Sequence, residues 1–223
     1  GFLELLEHAE TALRDAPEDY LLGMAPHSLR AVSPESLNEI VEARTSGPVH
    51  IHIAEQLKEV DDVLENYGAR PVEWLLQNAN VDSRWCLIHA THMIPEETQN
   101  VAKSGAVVGL CPITEANLGD GVFDGTELLL SGGKYGIGSD SNVFIALTEE
   151  LRLLEYSQRL VRKERNVMTN KSGSVGQALY NNALVGGAQA LGRKSGSISP
   201  GNWADLVSLD TESLSLWGCT DDE

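Results

Sequence analysis

Short stretches of consecutive apolar residues alternate with stretches in which apolar residues recur every three or four positions. The apolar stretches cover residues 21–29, 48–55, 84–91, 106–112 and 135–141. Continuous apolar character over so few residues is typical of a strand that is buried on both faces. Strands that alternate with helices predict βαβ units, and therefore an α/β fold with a parallel sheet covered by helices.

Helical spacing is found in seven stretches: residues 1–16, 33–45, 56–68, 70–80, 95–105, 148–166 and 174–192. Ser33 is placed to cap the second of these helices, and Gly68 to end the third. Residues 114–125 are rich in Gly, Asn and Asp, which predicts a loop. Gly and Pro turns after residue 192 predict short strands. We therefore expect a barrel domain over residues 1–192 and a partial β-sandwich segment over residues 193–223.

The acidic composition excludes several classes of partner. The chain has 33 acidic and 16 basic residues and a formal net charge of −17, whereas nucleic acids and anionic membranes are bound through clustered Lys and Arg. No apolar stretch approaches the roughly 20 residues of a membrane span. The three cysteines form no C-x-x-C pair, which fits a reducing compartment. We expect a cytoplasmic protein with a small-molecule partner, and neither a nucleic-acid nor a membrane partner.

Side chains that can bind a metal stand where the predicted strands end. His52 closes the second apolar stretch and is followed by Glu55, while His89 and Asp140 close the third and the fifth. Because parallel strands of a closed barrel carry their carboxyl ends to one mouth, we expect these side chains to meet. Imidazole and carboxylate groups at one point are suitable ligands for a zinc-type or iron-type ion.

The stretch VHIHIAEQ, residues 49–56, allows two interpretations. His50 and His52 lie on one face of a strand, as in a His-x-His metal clip. His52 and Glu55 instead have the spacing of a metal ligand followed by an acid/base residue. Each histidine also fits an ordinary buried polar residue.

The segments HIAE, HATH, CPITEANLGDG, GIGSDS and GSISPGNWADLVSLD together resemble the amidohydrolase superfamily, in its aminohydrolase (deaminase) branch. The resemblance implies a partial TIM-like (β/α)8 barrel of the metal-dependent hydrolase type, strands 4 to 8, followed by the start of a C-terminal β segment. It implies one divalent metal, zinc or alternatively Fe²⁺ or Mn²⁺, with His52 and Asp140 as ligands. Glu55 would then protonate the leaving nitrogen, and His89 would orient the attacking water. His50 becomes a bystander inside the barrel.

Within that branch, longer runs such as APHSLRAVSPE and RWCLIHATH are most similar to the formimidoylglutamate deiminases. This resemblance implies hydrolysis of N-formimidoyl-L-glutamate to N-formyl-L-glutamate and ammonia in histidine degradation, by an enzyme that is a homodimer when full length. A dicarboxylate substrate needs fixed cationic donors, and we expect Arg30 and His27 to supply them. The alternative for Arg30 is a surface arginine at the start of a loop.

Too few strands fit between His52 and Asp140 for His52 to lie on the first strand of an eight-stranded barrel. We therefore expect the chain to be a C-terminal fragment that lacks the family's strand 1 His-x-His pair and is inactive alone. Two alternatives remain: a deaminase of guanine or another heterocycle, and a non-catalytic truncated half-barrel. Four residues near the expected site have open roles: Gln56, His92, Glu115 and Asn117.

Overall fold

The computed structural model describes residues 1–169 and 173–219 and contains one parallel sheet in the order β1-β2-β3-β4. The strands are β1 (Val49–Ile53), β2 (Trp85–His89), β3 (Val107–Leu110) and β4 (Lys134–Ile137). Each strand pairs with the next one along the chain. Since parallel neighbours require crossover connections, helices lie between them. The predicted α/β class and the positions of these four strands are confirmed.

Helices precede the sheet, fill the crossovers and follow β4. Their bounds are α1 (Phe2–Leu13), α2 (Pro34–Ala43), α3 (Leu57–Tyr67), α4 (Pro71–Asn78), α5 (Pro95–Ser104), α6 (Pro112–Leu118), α7 (Gly125–Leu130), α8 (Leu147–Arg162) and α9 (Val175–Ala190). Two predicted boundaries are confirmed. Ser33 accepts the Ser36 amide at 3.2 Å at the start of α2, and Gly68 ends α3 in the left-handed conformation at φ 75°. No helix in the described part of the chain is both long and apolar enough to cross a membrane.

The first predicted strand is present only as two isolated parallel bridges. Met24 pairs with Val49 and Ser28 pairs with His52. Residues 24–28 therefore run alongside β1, in the place of the first predicted strand. Pro26 lies between the two bridges and has no backbone N–H to donate, which prevents a continuous ladder.

The predicted loop over residues 114–125 is confirmed for residues 119–124 and is wrong at both ends, because α6 runs to Leu118 and α7 begins at Gly125. Pro112 is at the first position of α6, and Gly119 ends that helix at φ 74°. Asp124 caps α7 by accepting the Glu127 amide at 3.0 Å. Proline at the start, glycine at the end and aspartate at the cap are all ordinary helix boundary signals, although the same residues are also common in turns.

Helix α8 ends four residues before the predicted Asn166. Lys163 adopts a left-handed conformation at φ 58°, and the chain then turns back along the helix. The carboxylate of Glu155 accepts the amides of Val167 at 3.0 Å and Met168 at 2.8 Å. These bonds satisfy amides that a continued helix would have paired internally.

The predicted short strands are absent from residues 193–219, where the structure assigns only a 3₁₀ turn, Leu214–Leu216. A strand requires a neighbouring strand to satisfy its backbone groups, and these residues meet none among those described. Arg193 anchors the segment through two hydrogen bonds to Asp205, at 2.9 and 3.2 Å. The division of the chain at residue 192 stays a prediction, and the last four residues of the expected segment lie outside the described ones.

Helix α9 packs along the edge strand β4. A Cβ on Gly186 would lie 1.8 Å from the carbonyl oxygen of Tyr135, so only glycine permits this approach. Near the end of α9, Ala190 accepts a hydrogen bond from Nε2 of His50 at 2.8 Å. The helix therefore fixes the strand that leads to Asp140, and His50 has a structural partner away from the strand ends.

Candidate active site

Residues with a left-handed backbone conformation are concentrated at the carboxyl ends of the strands. Of the six non-glycine residues with positive φ in the described chain, four lie there: Ala54 (50°), His89 (68°), Ala90 (49°) and Asp140 (53°). Such conformations cost about 1 to 3 kcal/mol each and cluster at functional sites. Three strands therefore end in sharp turns that bring their polar residues to one edge of the sheet.

His52 is oriented with one ring nitrogen free. Its Nδ1 donates to the carbonyl oxygen of His27 at 2.9 Å, so Nδ1 carries a hydrogen and Nε2 is the ring nitrogen left for another partner. The His52 ring centroid is 5.0 Å from that of His27 and 5.8 Å from that of His89. A backbone carbonyl on the far nitrogen is the usual way in which a metal-binding histidine is held.

His89 lies among three carboxylates and is only 1% exposed. Its Nδ1 is 3.2 Å from Oε1 of Glu115, while its Nε2 is 3.8 Å from Oε1 of Glu55 and 3.9 Å from Oδ2 of Asp140. Burial favours the neutral ring, but the hydrogen bond to Glu115 and the charges of Glu115, Glu55 and Asp140 together outweigh it and raise the pKa of His89.

Glu55 is held in place from two sides. Oε2 accepts a hydrogen bond from Nη2 of Arg30 at 2.8 Å, which fixes the side chain. Glu59, in the first turn of α3, is buried and accepts the amides of Ala54 and Glu55, each at 3.0 Å. The loop after β1 is therefore tied to the helix that follows it, and the free oxygen of Glu55 faces His89.

Glu59 was missed in the sequence. Glu59 is the third residue of α3, the position from which a capping-box glutamate reaches back to the N-cap amide. The N-cap residue, Gln56, does not complete such a box, and its side chain makes no cap hydrogen bond, so the capping signal in the sequence is incomplete. In the structure the glutamate accepts the amides of Ala54 and Glu55 at the strand end instead.

Asp140 comes just after β4, and its Oδ1 accepts the amide of Ser141. The preceding carbonyl, that of Ser139, accepts a hydrogen bond from Oγ1 of Thr114 at 3.0 Å. Thr114 lies on α6, so the first turn of α6 buttresses the loop that carries Asp140.

Arg30 and His27, the predicted substrate ligands, both lie at this edge. Arg30 is one-third exposed and spans Glu55 and Glu59, with its Nε 3.7 Å from Oε2 of Glu59. The Nδ1 atom of His27 lies 2.8 Å from Oγ of Ser28. Their role in binding substrate stays a prediction.

Two residues with open roles, Gln56 and His92, have contacts away from the reacting groups. Gln56 donates to Oδ1 of Asp120 at 3.0 Å, and Nε2 of His92 donates to the carbonyl oxygen of Asp120 at 2.7 Å. They join the loops after β1 and β2 to the loop after α6. Asn117 is exposed on α6, whereas Glu115 on the same helix faces His89.

The donor types at this edge fit a divalent cation. His52 presents a free nitrogen and Asp140 a carboxylate, the ligand types that zinc and iron take. Two donors are fewer than such an ion requires. Within residues 1–169 and 173–219 no group of three or more His, Cys, Asp or Glu side chains is placed to hold a metal ion.

The sequence profile of the Amidohydrolase family matches residues 3–221. This chain belongs to the amidohydrolase family. It is 51% identical over 212 residues to the formimidoylglutamate deiminase of Pseudomonas aeruginosa, which is 94% of this chain and 46% of that relative. It is 32% identical over 201 residues to a 5-methylthioadenosine/S-adenosylhomocysteine deaminase of Shouchella clausii, 86% of this chain and 45% of the relative. The amidohydrolase chain thus spans about half the length of the curated relatives it matches.

Solved structures give the same assignment. An amidohydrolase from Brucella melitensis superposes with a TM-score of 0.93 at 52% identity, over 99% of this chain and 49% of that one. An adenosine deaminase from Xanthomonas campestris, solved with bound zinc, superposes with a TM-score of 0.86 at 25% identity, over 97% and 49%. The sheet and its helices are therefore part of the TIM-barrel-like fold of the amidohydrolases.

Proposed function

We propose that the whole protein is a metal-dependent deiminase that hydrolyses N-formimidoyl-L-glutamate to N-formyl-L-glutamate and ammonia. The observation that carries this proposal is the meeting of His52, Glu55, His89 and Asp140 at the carboxyl ends of parallel strands, with Arg30 beside them. The 51% identity to a formimidoylglutamate deiminase supports the choice of substrate.

His52 and Asp140 are the proposed metal ligands from this chain, and the remaining ligands are not among its described residues. The zinc in the Xanthomonas campestris neighbour supports zinc as the metal. A divalent cation there would lower the pKa of a bound water and polarise the substrate. Because Nδ1 of His52 is engaged by the His27 carbonyl, Nε2 is the nitrogen that would bind the metal.

Glu55 and His89 are the proposed proton-handling and orienting groups. The Oε1 atom of Glu55 lies 3.8 Å from Nε2 of His89, so a reacting group between them would reach both. Glu55 would carry a proton to the departing nitrogen of the amidine. His89 would orient the attacking water and stabilise the charge that develops on the tetrahedral intermediate.

Arg30 and His27 supply the proposed contacts to the acidic part of the substrate. A guanidinium fork matches a carboxylate in shape and charge, and Arg30 is open enough to meet one while its other face contacts Glu55. The ring of His27 lies beside that of His52, tilted by 38° with the centroids 5.0 Å apart. This pair favours an acyclic dicarboxylate over an uncharged heterocycle.

A second candidate is deamination of an adenine nucleoside, which the 32% identity to 5-methylthioadenosine/S-adenosylhomocysteine deaminase supports. Ammonia release by the zinc-loaded whole protein would separate the two. We expect release from N-formimidoyl-L-glutamate and little from 5-methylthioadenosine or guanine. Turnover of a nucleoside or base without turnover of the amidine would reject our choice of substrate.

A further inference from the structure

Glu115 is a buried carboxylate, 5% exposed, in the first turn of α6. Its Oε1 accepts the amide of Cys111 at 2.9 Å and faces Nδ1 of His89 at 3.2 Å. A carboxylate removed from water at this depth requires strong partners. Both of its hydrogen-bond partners converge on one oxygen.

Two other buried glutamates in the described chain are paired with arginines. Glu97 is paired with Arg70 at 3.0 Å, and Glu155 with Arg159 at 2.6 Å. Glu150 is also buried, without an arginine partner among the described residues. What distinguishes Glu115 is that its charged partner is an imidazole of the proposed active site, His89.

The acceptor character of a carboxylate defines the direction of this hydrogen bond. As a carboxylate, Glu115 has no hydrogen to donate: its Oε1 accepts the amide N–H of Cys111, and Nδ1 of His89 must supply the hydrogen of the second bond. The other nitrogen, Nε2, is then directed at the space between Glu55 and Asp140. Rotation of the ring by a half turn would break the bond to Glu115.

We propose that Glu115 is a positioning residue that holds His89 with Nδ1 protonated and Nε2 directed at the reacting groups. The inference rests on the proposed function for the role of His89, but the geometry of the pair does not depend on the substrate. The same arrangement of carboxylate, imidazole and reacting atom orients catalytic histidines in other hydrolases.

The first test is the imidazole ¹⁵N spectrum of His89 in the zinc-loaded whole protein. We expect Nδ1 of His89 to be protonated in the wild type and in Glu115→Gln, since the Cys111 amide keeps the oxygen of the substituted side chain facing the ring. In Glu115→Leu the preference for a proton on Nδ1 is lost. An unprotonated Nδ1 in the wild type would overturn the proposal even if the leucine variant fails to fold.

Glu150 provides a matched control, because it contacts the start of the same helix α6. It is buried, accepts the amide of Ile113 at 2.8 Å and makes no hydrogen bond to His89 in the described structure. Glu150→Gln should leave the His89 ¹⁵N shifts unchanged. If Glu150→Gln and Glu115→Leu changed the His89 ¹⁵N chemical shifts equally, both substitutions would act by disturbing the packing around α6. That result would contradict the proposal.

Kinetics give the second test. Glu115→Leu should lower kcat by about 10- to 100-fold, the usual effect of removing an orienting partner, with KM changed less than about threefold. Glu115→Gln should recover most of the lost kcat. A rise in KM at unchanged kcat would overturn the positioning role. If the wild type releases no ammonia from N-formimidoyl-L-glutamate, the proposed function fails, while the ¹⁵N measurement still decides the role of Glu115.

Discussion

Arg30 and Glu55 form an ion pair across 25 residues of sequence, with Nη2 of the arginine 2.8 Å from Oε2 of the glutamate. The pair joins the segment beside β1 to the loop that follows β1. It places the cation proposed to bind substrate directly against the residue proposed to move a proton. With these proposed roles, substrate binding and proton transfer would be coupled at one point of the site.

Replacement of Arg30 tests the recognition of an acidic substrate. Arg30→Met should raise the KM for N-formimidoyl-L-glutamate by about 10- to 100-fold, because a hydrogen bond to a charged group contributes about 1.5 to 3 kcal/mol. Arg30→Lys keeps the charge and should show a smaller rise. Steady-state kinetics of the whole protein measure both. An unchanged KM in Arg30→Met would place the substrate carboxylates elsewhere.

Glu59 should contribute to stability through the two amides that it accepts. Glu59→Gln can satisfy only one of the amides of Ala54 and Glu55, and the unpaired one should reduce the free energy of unfolding by about 1 to 3 kcal/mol. Urea unfolding measures the change. Glu65, exposed on the same helix, is the control, and Glu65→Gln should stay within about 0.5 kcal/mol of the wild type. Similar free energies of unfolding for the two variants would show that the Glu59 contacts do not stabilise the fold.

The sequence predicted the elements that follow from hydrophobic spacing, and the side chains at their ends. Apolar runs located all four strands of the sheet, and the positions at or just after their ends contained His52, His89 and Asp140. These features are readable because strand burial and barrel geometry act on short segments. Family resemblance was also readable, since motifs such as CPITEANLGDG occur as continuous stretches.

Features that depend on contacts between distant segments were not predictable in this way. The sequence shows a glutamate at 115, but only the position of α6 beside the end of β2 directs it at His89. Pro26 interrupts the first strand through the absence of one hydrogen bond, which hydrophobic spacing does not register. Residues 193–219 have a strand-like pattern, yet a strand forms only where another strand offers its backbone.

The contact between α9 and β4 predicts an asymmetry between two adjacent glycines. Gly186→Ala should destabilise the protein by about 3 kcal/mol or more, because its Cβ would lie 1.8 Å from the carbonyl oxygen of Tyr135. Gly187→Ala meets no atom within 4 Å and should be neutral or stabilising by up to about 1 kcal/mol. Thermal unfolding of the two variants measures this. Equal effects would contradict the close approach.

Glu150 predicts a pH dependence of stability. Burial raises the pKa of its carboxyl above the ordinary value of 4.5, the Ile113 amide opposes the rise, and the charge of Glu115 adds to it. The folded chain therefore binds this proton more tightly than the unfolded chain. Stability from Glu150 is fully present below pH 4.5 and is lost as the pH rises through the folded pKa.

Glu150→Gln removes this titration. Urea unfolding between about pH 4 and 8 should show the wild type losing stability relative to Glu150→Gln as the pH rises. A difference between the two proteins that stays constant over this range would show that the folded pKa is not raised.

Release of ammonia from N-formimidoyl-L-glutamate by the whole protein and its Asp140→Asn variant tests the central claim most directly. The account predicts that the zinc-loaded wild type releases one ammonia per substrate. It predicts that Asp140→Asn, with an unchanged circular dichroism spectrum, binds less zinc and loses at least about 100-fold in kcat/KM, since the substitution weakens one of the two proposed metal ligands. If Asp140→Asn kept the turnover and the zinc content of the wild type, the assignment of the site would be contradicted.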